Sequence, residues 1–162
     1  MARKSTKSSN AGHDAIALLT QDHREVEKLY KQFEKAKKAD DGRAKTEVVR
    51  QICTALTAHS EIEEETFYPA VRKSIDRKDL MDEAEVEHGE IKRLVKDLED
   101  SSPSGDLYDA KVTVLIEYVK HHVEEEEGQM FPKVKKAKLD LEELGQEMAA
   151  RKQKIVSQAK AA

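Results

Sequence analysis

Apolar residues recur at steps of three and four along four segments of this 162-residue chain, which is the pattern of one buried face on an α-helix. Three clusters of turn-forming residues separate the segments: KADDGRA at 38–44, SIDRKD at 74–79 and a serine-rich stretch with one proline and one glycine at 100–106. Ala, Glu, Lys, Leu and Arg make up 80 of the 162 residues, a proportion typical of long amphipathic helices. Because short connections favour antiparallel neighbours, the sequence predicts an all-α fold, an up-down-up-down antiparallel four-helix bundle.

Polar residues interrupt these apolar faces at six positions. Each of the four faces carries a histidine, and on the second and fourth a glutamate follows four residues later: His23, His59, Glu63, His88, His122 and Glu126. A single histidine in a core is more often hydrogen-bonded than metal-bound, and an acidic run such as EIEEE is, by itself, typical of a solvated face. Burying a carboxylate is costly unless it has a partner, so six interruptions together require one common explanation.

The six residues are predicted to lie at one level of the bundle. His23 precedes the middle of the first turn by about 16 residues and His59 follows it by about 18, so their heights agree within about one helical turn. His88 and His122 stand in a similar relation to the third turn. Four imidazoles and two carboxylates are too many donors for one four-coordinate zinc ion, but they suit two adjacent ions bridged by carboxylates. The donor types alone leave Mn, Zn and Fe open.

The second and fourth segments share a phrase, HSEIEEETFYP at 59–69 and HVEEEEGQMFP at 122–132. Pro69 and Pro132 cannot donate to a helix carbonyl, so each helix is expected to bend or stop just beyond its glutamate. Tyr30 and Tyr118 are spaced so that they could face the ions, as hydrogen-bond donors to the ligands or as an extra phenolate ligand. The alternative for both tyrosines is simple core packing.

Composition excludes several classes of protein. The net charge of −4 comes from interleaved charges of both signs, so no nucleic-acid partner is predicted. One cysteine, Cys53, favours a reducing compartment, and a cytoplasmic location is expected. No apolar run approaches the length of a membrane span, and no membrane association is predicted. Residues 1–12 are expected to form a disordered basic tail. Residues 138–162 are expected to form a C-terminal helix, docked across the bundle end or paired with another subunit, and a frayed tail.

The pattern of His23, HxxxE at 59–63, His88 and HxxxE at 122–126 resembles the hemerythrin-like HHE cation-binding domain family. The resemblance covers residues 13–137 and extends to the continuations EEETFYP and EEEGQMFP. It implies a non-haem di-iron centre inside a four-helix bundle: two Fe ions with bridging carboxylates and an oxo or hydroxo bridge. It further implies binding of, or reaction with, oxygen, nitric oxide or peroxide.

The chain departs from the oxygen-carrying hemerythrins in two places. Those proteins have a second histidine four residues after that of the third helix, where this chain has Lys92, and their fourth helix has HxxxxD, where this chain has Glu126 and Glu127. Glu126 continues the apolar face and is the expected ligand. With one imidazole fewer the two ions are expected to be more alike, and reaction with the small ligand is favoured over reversible carriage. The alternatives are a di-iron redox enzyme (catalase-like or nitric-oxide-reducing), an iron-responsive sensing domain, and a bundle stabilised by a structural ion. The sequence leaves open whether the protein is a monomer or a homodimer.

Overall fold

The computed structural model describes residues 14–162, which are helical apart from short connections. Seven α-helices follow one another: α1 (Ala15–Lys38), α2 (Gly42–Ile62), α3 (Tyr68–Arg72), α4 (Lys78–Glu99), α5 (Tyr108–Glu125), α6 (Phe131–Lys136) and α7 (Leu141–Ala161). One π-helical turn, Glu63–Phe67, joins α2 to α3, and another, Glu126–Met130, joins α5 to α6. The described residues thus form four bundle helices, two of them in two parts, and an additional C-terminal helix, which confirms the predicted all-α bundle.

The helices begin where short polar side chains can cap them. Asp14, Asp41 and Asp140 each accept a hydrogen bond from a backbone N–H three residues later, at the starts of α1, α2 and α7. Between α1 and α2, Asp40 has a φ of 53°, a left-handed conformation that Asp tolerates better than most residues. The chain reverses there, so α1 packs against α2; α4 packs in the same way against α5.

Two apolar clusters fill the bundle, and the six polar residues lie between them. One cluster, around Phe33, Ile52 and Leu115, lies toward the α1–α2 turn. The other, around Phe67 and Met148, lies toward the opposite end. Burial of apolar surface on both sides is the main source of stability, and it fixes the depth of the polar layer along every helix.

The two π-helical turns show why the helices do not end at their prolines. The N–H of Tyr68 donates to the carbonyl of Glu63, five residues back, and the N–H of Phe131 donates likewise to Glu126. Pro69 lies in the first turn of α3, as its equivalent does in α6, where no intrahelical N–H is required of it. Each of the two segments therefore stays helical beyond its glutamate. The stop expected from the proline is only the end of the regular α-helix.

The extra residue in the first π turn also shifts the buried face. The spacing of α2 predicts that Thr66 and Ala70 continue the apolar face, but Phe67 and Val71 are the buried residues. A π turn holds one more residue than an α turn, so every later side chain moves to the next position around the helix. This correction brings Tyr68 into the core.

Helix α7 lies along the groove between α1 and α2, which corrects the expectation that it docks across the bundle end. Leu144, Met148 and Ile155 face the bundle and are buried. Helix α7 continues to Ala161, and the frayed tail expected at its end remains a prediction. On the polar side of α7, Arg151 forms an ion pair with Glu65 of the first π turn.

The predicted tail at 1–12 lies outside the described residues. Among residues 14–162, no helix combines the length and apolar character needed to cross a membrane. The boundary predicted between the bundle (13–137) and the C-terminal segment (138–162) remains a prediction.

Candidate metal centre

The six residues that interrupt the apolar faces converge in the middle of the bundle. Each is at most 5% exposed, and each of the four bundle helices contributes a histidine. The two glutamates are the first residues of the two π turns. π turns are frequent at functional sites because they redirect side chains without ending a helix.

One group of potential ligand atoms comes from His23, His59, Glu63 and Glu126, all within 4.8 Å of one another. The Nε2 atom of His23 is 3.2 Å from Oε2 of Glu126, and Nε2 of His59 is 3.2 Å from Oε1 of Glu63. Two donors that bind one ion at about 2.1 Å, at angles between 90° and 110°, lie roughly 3.0–3.4 Å apart. These spacings therefore suit a common ion.

A second group adjoins the first and shares Glu63 with it. The other oxygen of Glu63, Oε2, is 3.1 Å from Nε2 of His88, which in turn is 3.1 Å from Nε2 of His122. The Oε2 atom of Glu126 is 3.6 Å from Nε2 of His122, so this carboxylate too lies between the groups. Glu63, with one oxygen in each group, has the arrangement of a bridging carboxylate.

Within residues 14–162, four buried atoms of the first group have no hydrogen-bond partner: Nε2 of His23, Nε2 of His59, Oε1 of Glu63 and Oε2 of Glu126. Leaving such atoms unsatisfied costs free energy, and the cost is greatest for a charged carboxylate. Divalent cations would satisfy all four atoms at once. The donor set thus fits metal ions held by nitrogen and oxygen.

Carboxylates hold the outer nitrogen of every histidine in the centre. The Nδ1 partners are Glu127 for His23 at 2.8 Å, Asp22 for His59 at 3.2 Å, Glu64 for His88 at 2.9 Å and Glu87 for His122 at 2.7 Å. An Nδ1–H that donates to a carboxylate leaves the Nε2 lone pair of the neutral ring directed at the ion, and it makes the ring a stronger ligand.

Sequence reasoning missed these four carboxylates, although each is adjacent to a predicted ligand in the chain. Glu64 and Glu127 directly follow the ligand glutamates, and Asp22 and Glu87 directly precede histidines. Each reaches the histidine of another segment rather than its own neighbour. The available clue to these carboxylates was therefore an acidic residue directly beside a predicted ligand. Acidic residues in such positions are also typical of an ordinary solvated helix face.

Cationic side chains neutralise three of these carboxylates from outside. Arg24 donates to Glu127 at 2.7 Å, and Lys152 of α7 donates to Asp22. Lys92, which stands where oxygen carriers have a histidine, donates to Glu64 at 2.5 Å. Lys92 thus supports the centre from the outside of the ligand layer.

The charges of the cluster raise the pKa of two of its imidazoles, those of His59 and His122. Burial by itself lowers the pKa of His59, but the charge of Glu63 and the hydrogen bond to Asp22 raise that pKa to about 10. The pKa of His122 is also raised, because Glu126 and hydrogen bonds outweigh burial. Burial raises the pKa of Glu63, yet the positive His59 and the neighbouring imidazoles of His122 and His88 hold it well below its ordinary value. Protons and metal ions therefore compete for the same nitrogen atoms.

Tyr68 is the phenol of this centre, and sequence reasoning missed it. Its hydroxyl donates to Oε1 of Glu126 at 2.8 Å and lies 3.2 Å from Oε2 of Glu63 and 3.4 Å from Nε2 of His88. Burial, followed by the charges of Glu126 and Glu63, raises the pKa of Tyr68 well above its ordinary value. Its equivalent in the repeated phrase, 63 residues later, is Phe131.

The two tyrosines chosen from the sequence lie elsewhere. Tyr118 is 38% exposed, and Tyr30 stacks on Phe33 at 6.0 Å beneath the amino group of Lys120. Among the described residues, neither tyrosine has a hydrogen bond to the six central side chains. The choice of phenol is therefore corrected to Tyr68, which the 3.6-residue period placed off the buried face.

A cavity of about 10 Å³ adjoins the four histidine rings on the side of the α1–α2 turn. Leu56 and Ile91 form part of its apolar wall. A wider groove of about 430 Å³ opens between α1 and α5, and its lining shares His23, Val26, Val119 and Val123 with that of the cavity. The valines thus separate the groove from the centre by one layer of side chains.

Comparisons with known proteins identify the family and the fold. A protein named DNA nickase from Nostoc sp. is 32% identical over 121 residues, which are 73% of this chain but only 32% of that protein. The chain thus spans about a third of the length of this relative. The crystal structure of a hemerythrin HHE cation-binding domain-containing protein from Mycobacterium kansasii has the same fold, with a TM-score of 0.76 and 24% identity over 90% of this chain and 88% of that one. The model of the hemerythrin HHE cation binding domain matches residues 14–134, and the chain belongs to this family.

Proposed function

We propose that the central cluster binds two iron ions with an oxo or hydroxo bridge, and that this pair binds or reacts with oxygen, nitric oxide or peroxide. The observation that carries the proposal is the position of Glu63, which has one oxygen in each of the two groups of donors. A carboxylate in that position is suited to join two ions a few ångströms apart. The proposed ligands are the six residues predicted from the sequence: His23, His59, Glu63, His88, His122 and Glu126.

The incomplete second group supports a reactive rather than a structural ion. It offers three protein donors within 4.8 Å, from Glu63, His88 and His122. A structural ion generally has all its positions filled by protein, whereas a reactive one keeps a position open. Histidine and carboxylate donors accept Mn, Fe and Zn alike, so iron is proposed on the resemblance of the ligand pattern to hemerythrin-like domains. Bound iron would supply one-electron redox chemistry at an open position.

The size of the cavity supports a very small ligand. A volume of about 10 Å³ is close to the smallest space that holds one water molecule. Its apolar walls, including Leu56 and Ile91, favour an uncharged diatomic molecule over a hydrated anion. Peroxide remains within the proposal because it is small and neutral.

The chain's own polar groups would set the protonation of such a centre. The Nδ1 carboxylates hold each imidazole in the tautomer that presents Nε2 to the ion. The Tyr68 hydroxyl holds a proton between Glu126, Glu63 and His88. Tyr68 is thus a proton-bearing group beside the second group of donors, and its presence favours turnover of peroxide or nitric oxide as the second candidate function.

The test is the absorption spectrum of iron-loaded, anaerobically reduced protein, recorded before oxygen is admitted, after it is admitted and after it is removed. The chain has no Trp, so bands beyond the tyrosine region belong to the metal centre. Bands that appear and then vanish support reversible binding and a carrying or sensing role. Bands that persist support oxidation, and peroxide or nitric oxide consumption would then be assayed. Protein with two ions bound and no new bands would refute the iron proposal.

A cytoplasmic location and a reducing environment complete the proposal, because the one cysteine, Cys53, is buried as a free thiol. Since one relative is named a DNA nickase, nicking of supercoiled plasmid by the same metal-loaded protein is a necessary control. Plasmid nicking that persists without oxygen or peroxide, and that His88→Ala abolishes, would displace the small-ligand proposal in favour of phosphodiester hydrolysis.

A further inference from the structure

We propose a third cation site on the outer surface of the bundle, formed by Glu87 of α4 with His121 and Glu125 of α5. One ligand atom from each residue lies within 4.8 Å of the other two. The Nε2 atom of His121 is 3.3 Å from Oε1 of Glu87 and 3.5 Å from Oε1 of Glu125. We call these three residues the outer trio; they are distinct from the six proposed ligands of the central pair.

The outer trio repeats the HxxxE spacing one position earlier in the same helix. His121 and Glu125 are four residues apart and share a face of α5, as His122 and Glu126 do on the next face. Their side chains are 62% and 27% exposed, and that of Glu87 is 14% exposed. One imidazole and two carboxylates would bind a first-row divalent ion, and water would complete its coordination.

Comparison of the two halves of the bundle shows why the site occurs on this face. The positions 63 residues before His121 and Glu125 are Ala58 and Ile62, which are buried in the apolar cluster that α7 helps to form. The α4–α5 face has no such covering among the described residues. The same two positions therefore carry polar side chains there, with ligand atoms within 4.8 Å of each other.

The charges of the outer trio also favour a cation. Asp22, the carboxylate equivalent to Glu87, is neutralised by Lys152 of α7. Within the described part of the chain, no lysine or arginine forms an ion pair with Glu87 or Glu125. Among the described residues, the two carboxylates are thus paired with the imidazoles of His121 and His122 alone, and a divalent ion would add positive charge between them.

Glu87 would connect the outer ion to the centre. Its Oε1 atom belongs to the outer trio, and its Oε2 atom accepts the hydrogen bond from Nδ1 of His122 at 2.7 Å. An ion on Oε1 draws negative charge away from that hydrogen bond. The Nε2 atom of His122 then becomes a weaker ligand for the central metal pair. Occupation of the outer trio therefore adjusts the centre through one shared side chain.

The experiment counts zinc ions bound to the full-length protein by equilibrium dialysis over a range of free Zn²⁺, because zinc has no redox chemistry to complicate the count. Wild type is expected to bind two ions tightly and a third more weakly. His121→Ala and Glu125→Gln are expected to lose only the third ion. Glu124→Gln is the matched control, because it removes the same charge from an adjacent exposed residue beside the α1–α5 groove and should keep all three ions.

A second measurement locates the third ion directly. Mn²⁺ added to protein already loaded with two zinc ions should broaden the ring resonances of His121 in wild type, and should broaden them much less in Glu125→Gln. A wild-type count of two, a third ion retained by both variants, or broadening that does not reach His121 would overturn the proposal. A single ion that both variants lose would instead refute the central pair and leave the outer site standing.

Discussion

Replacing Tyr68 with phenylalanine should destabilise the metal-free protein much more than the metal-loaded protein. The ring itself should fit, since phenylalanine occupies the equivalent position 131 in the other half. The change removes the hydroxyl that donates to Glu126 at 2.8 Å and leaves a fully buried carboxylate oxygen without its donor. A hydrogen bond to a charged group contributes about 1.5–3 kcal/mol, so a loss of about 2 kcal/mol is expected.

In a chain of this length, each kcal/mol corresponds to roughly 2–4 °C, so the midpoint of the metal-free protein should fall by about 4–8 °C. Metal ions would satisfy Glu63 and Glu126 themselves, so the loaded protein should lose less. The assay is thermal unfolding followed by circular dichroism, with the protein loaded with zinc or treated with chelator. Tyr108→Phe is the control, because Tyr108 is 4% exposed but no side-chain hydrogen bond to its hydroxyl occurs among the described residues. Equal losses in the two states, or equal losses in the two variants, would refute the reasoning.

Three further outcomes are expected. Glu126→Ala should contain less bound metal, as measured by elemental analysis, and should lose the stability that metal binding contributes. Glu124→Ala should retain the metal and the stability. Since the pKa of His59 is raised to about 10, its ring is protonated at pH 7 and must release a proton to bind metal, so affinity should rise with pH toward 10. Calorimetric titrations in two buffers of different ionisation enthalpy should then give different heats, and identical heats would contradict this. Val123→Phe should slow the appearance of the oxygen-dependent bands, because the larger side chain closes the layer between the groove and the cavity. Val114→Phe, at a position 41% exposed on the same helix, should leave the rate unchanged. Equal rates in the two variants would exclude entry of oxygen through the groove.

The bundle and the depth of the polar layer could be predicted because both follow from spacing along the chain. Regular steps of three and four placed the buried faces of the four bundle helices, and the turn clusters fixed the heights of the histidines relative to one another. The choice of Glu126 over Glu127 also followed from spacing, and the structure places Glu126 inside at 1% exposure and Glu127 on the outer nitrogen of His23. Whether these residues bind iron remains a prediction.

The parts that could not be predicted depend on local departures from the α-helical period and on partners from distant segments. The π turn after Glu63 moved Tyr68 into the core, and no simple apolar pattern distinguishes a π turn from an α turn in advance. The support of Asp22 by Lys152 joins residues 130 positions apart across α1 and α7, so it depends on where α7 docks. The spacing within α7 shows that one of its faces is apolar, but it does not show which groove that face will fill.

The two halves of the centre are less alike than the repeated phrase suggests, and the difference bears on where a small ligand would bind. Among the described residues, the first group has four donors within 4.8 Å of one another and the second has three, with Oε2 of Glu126 3.6 Å from Nε2 of His122, although the sequence led to the expectation of two similar ions. The second group also has the Tyr68 hydroxyl 3.4 Å from Nε2 of His88, whereas the ring of Phe131 stacks on His23 at 6.1 Å with no polar atom. In the part of the chain that the structure describes, the smaller set of protein donors and the Tyr68 hydroxyl lie together beside His88 and His122, and we infer that a small ligand would bind there.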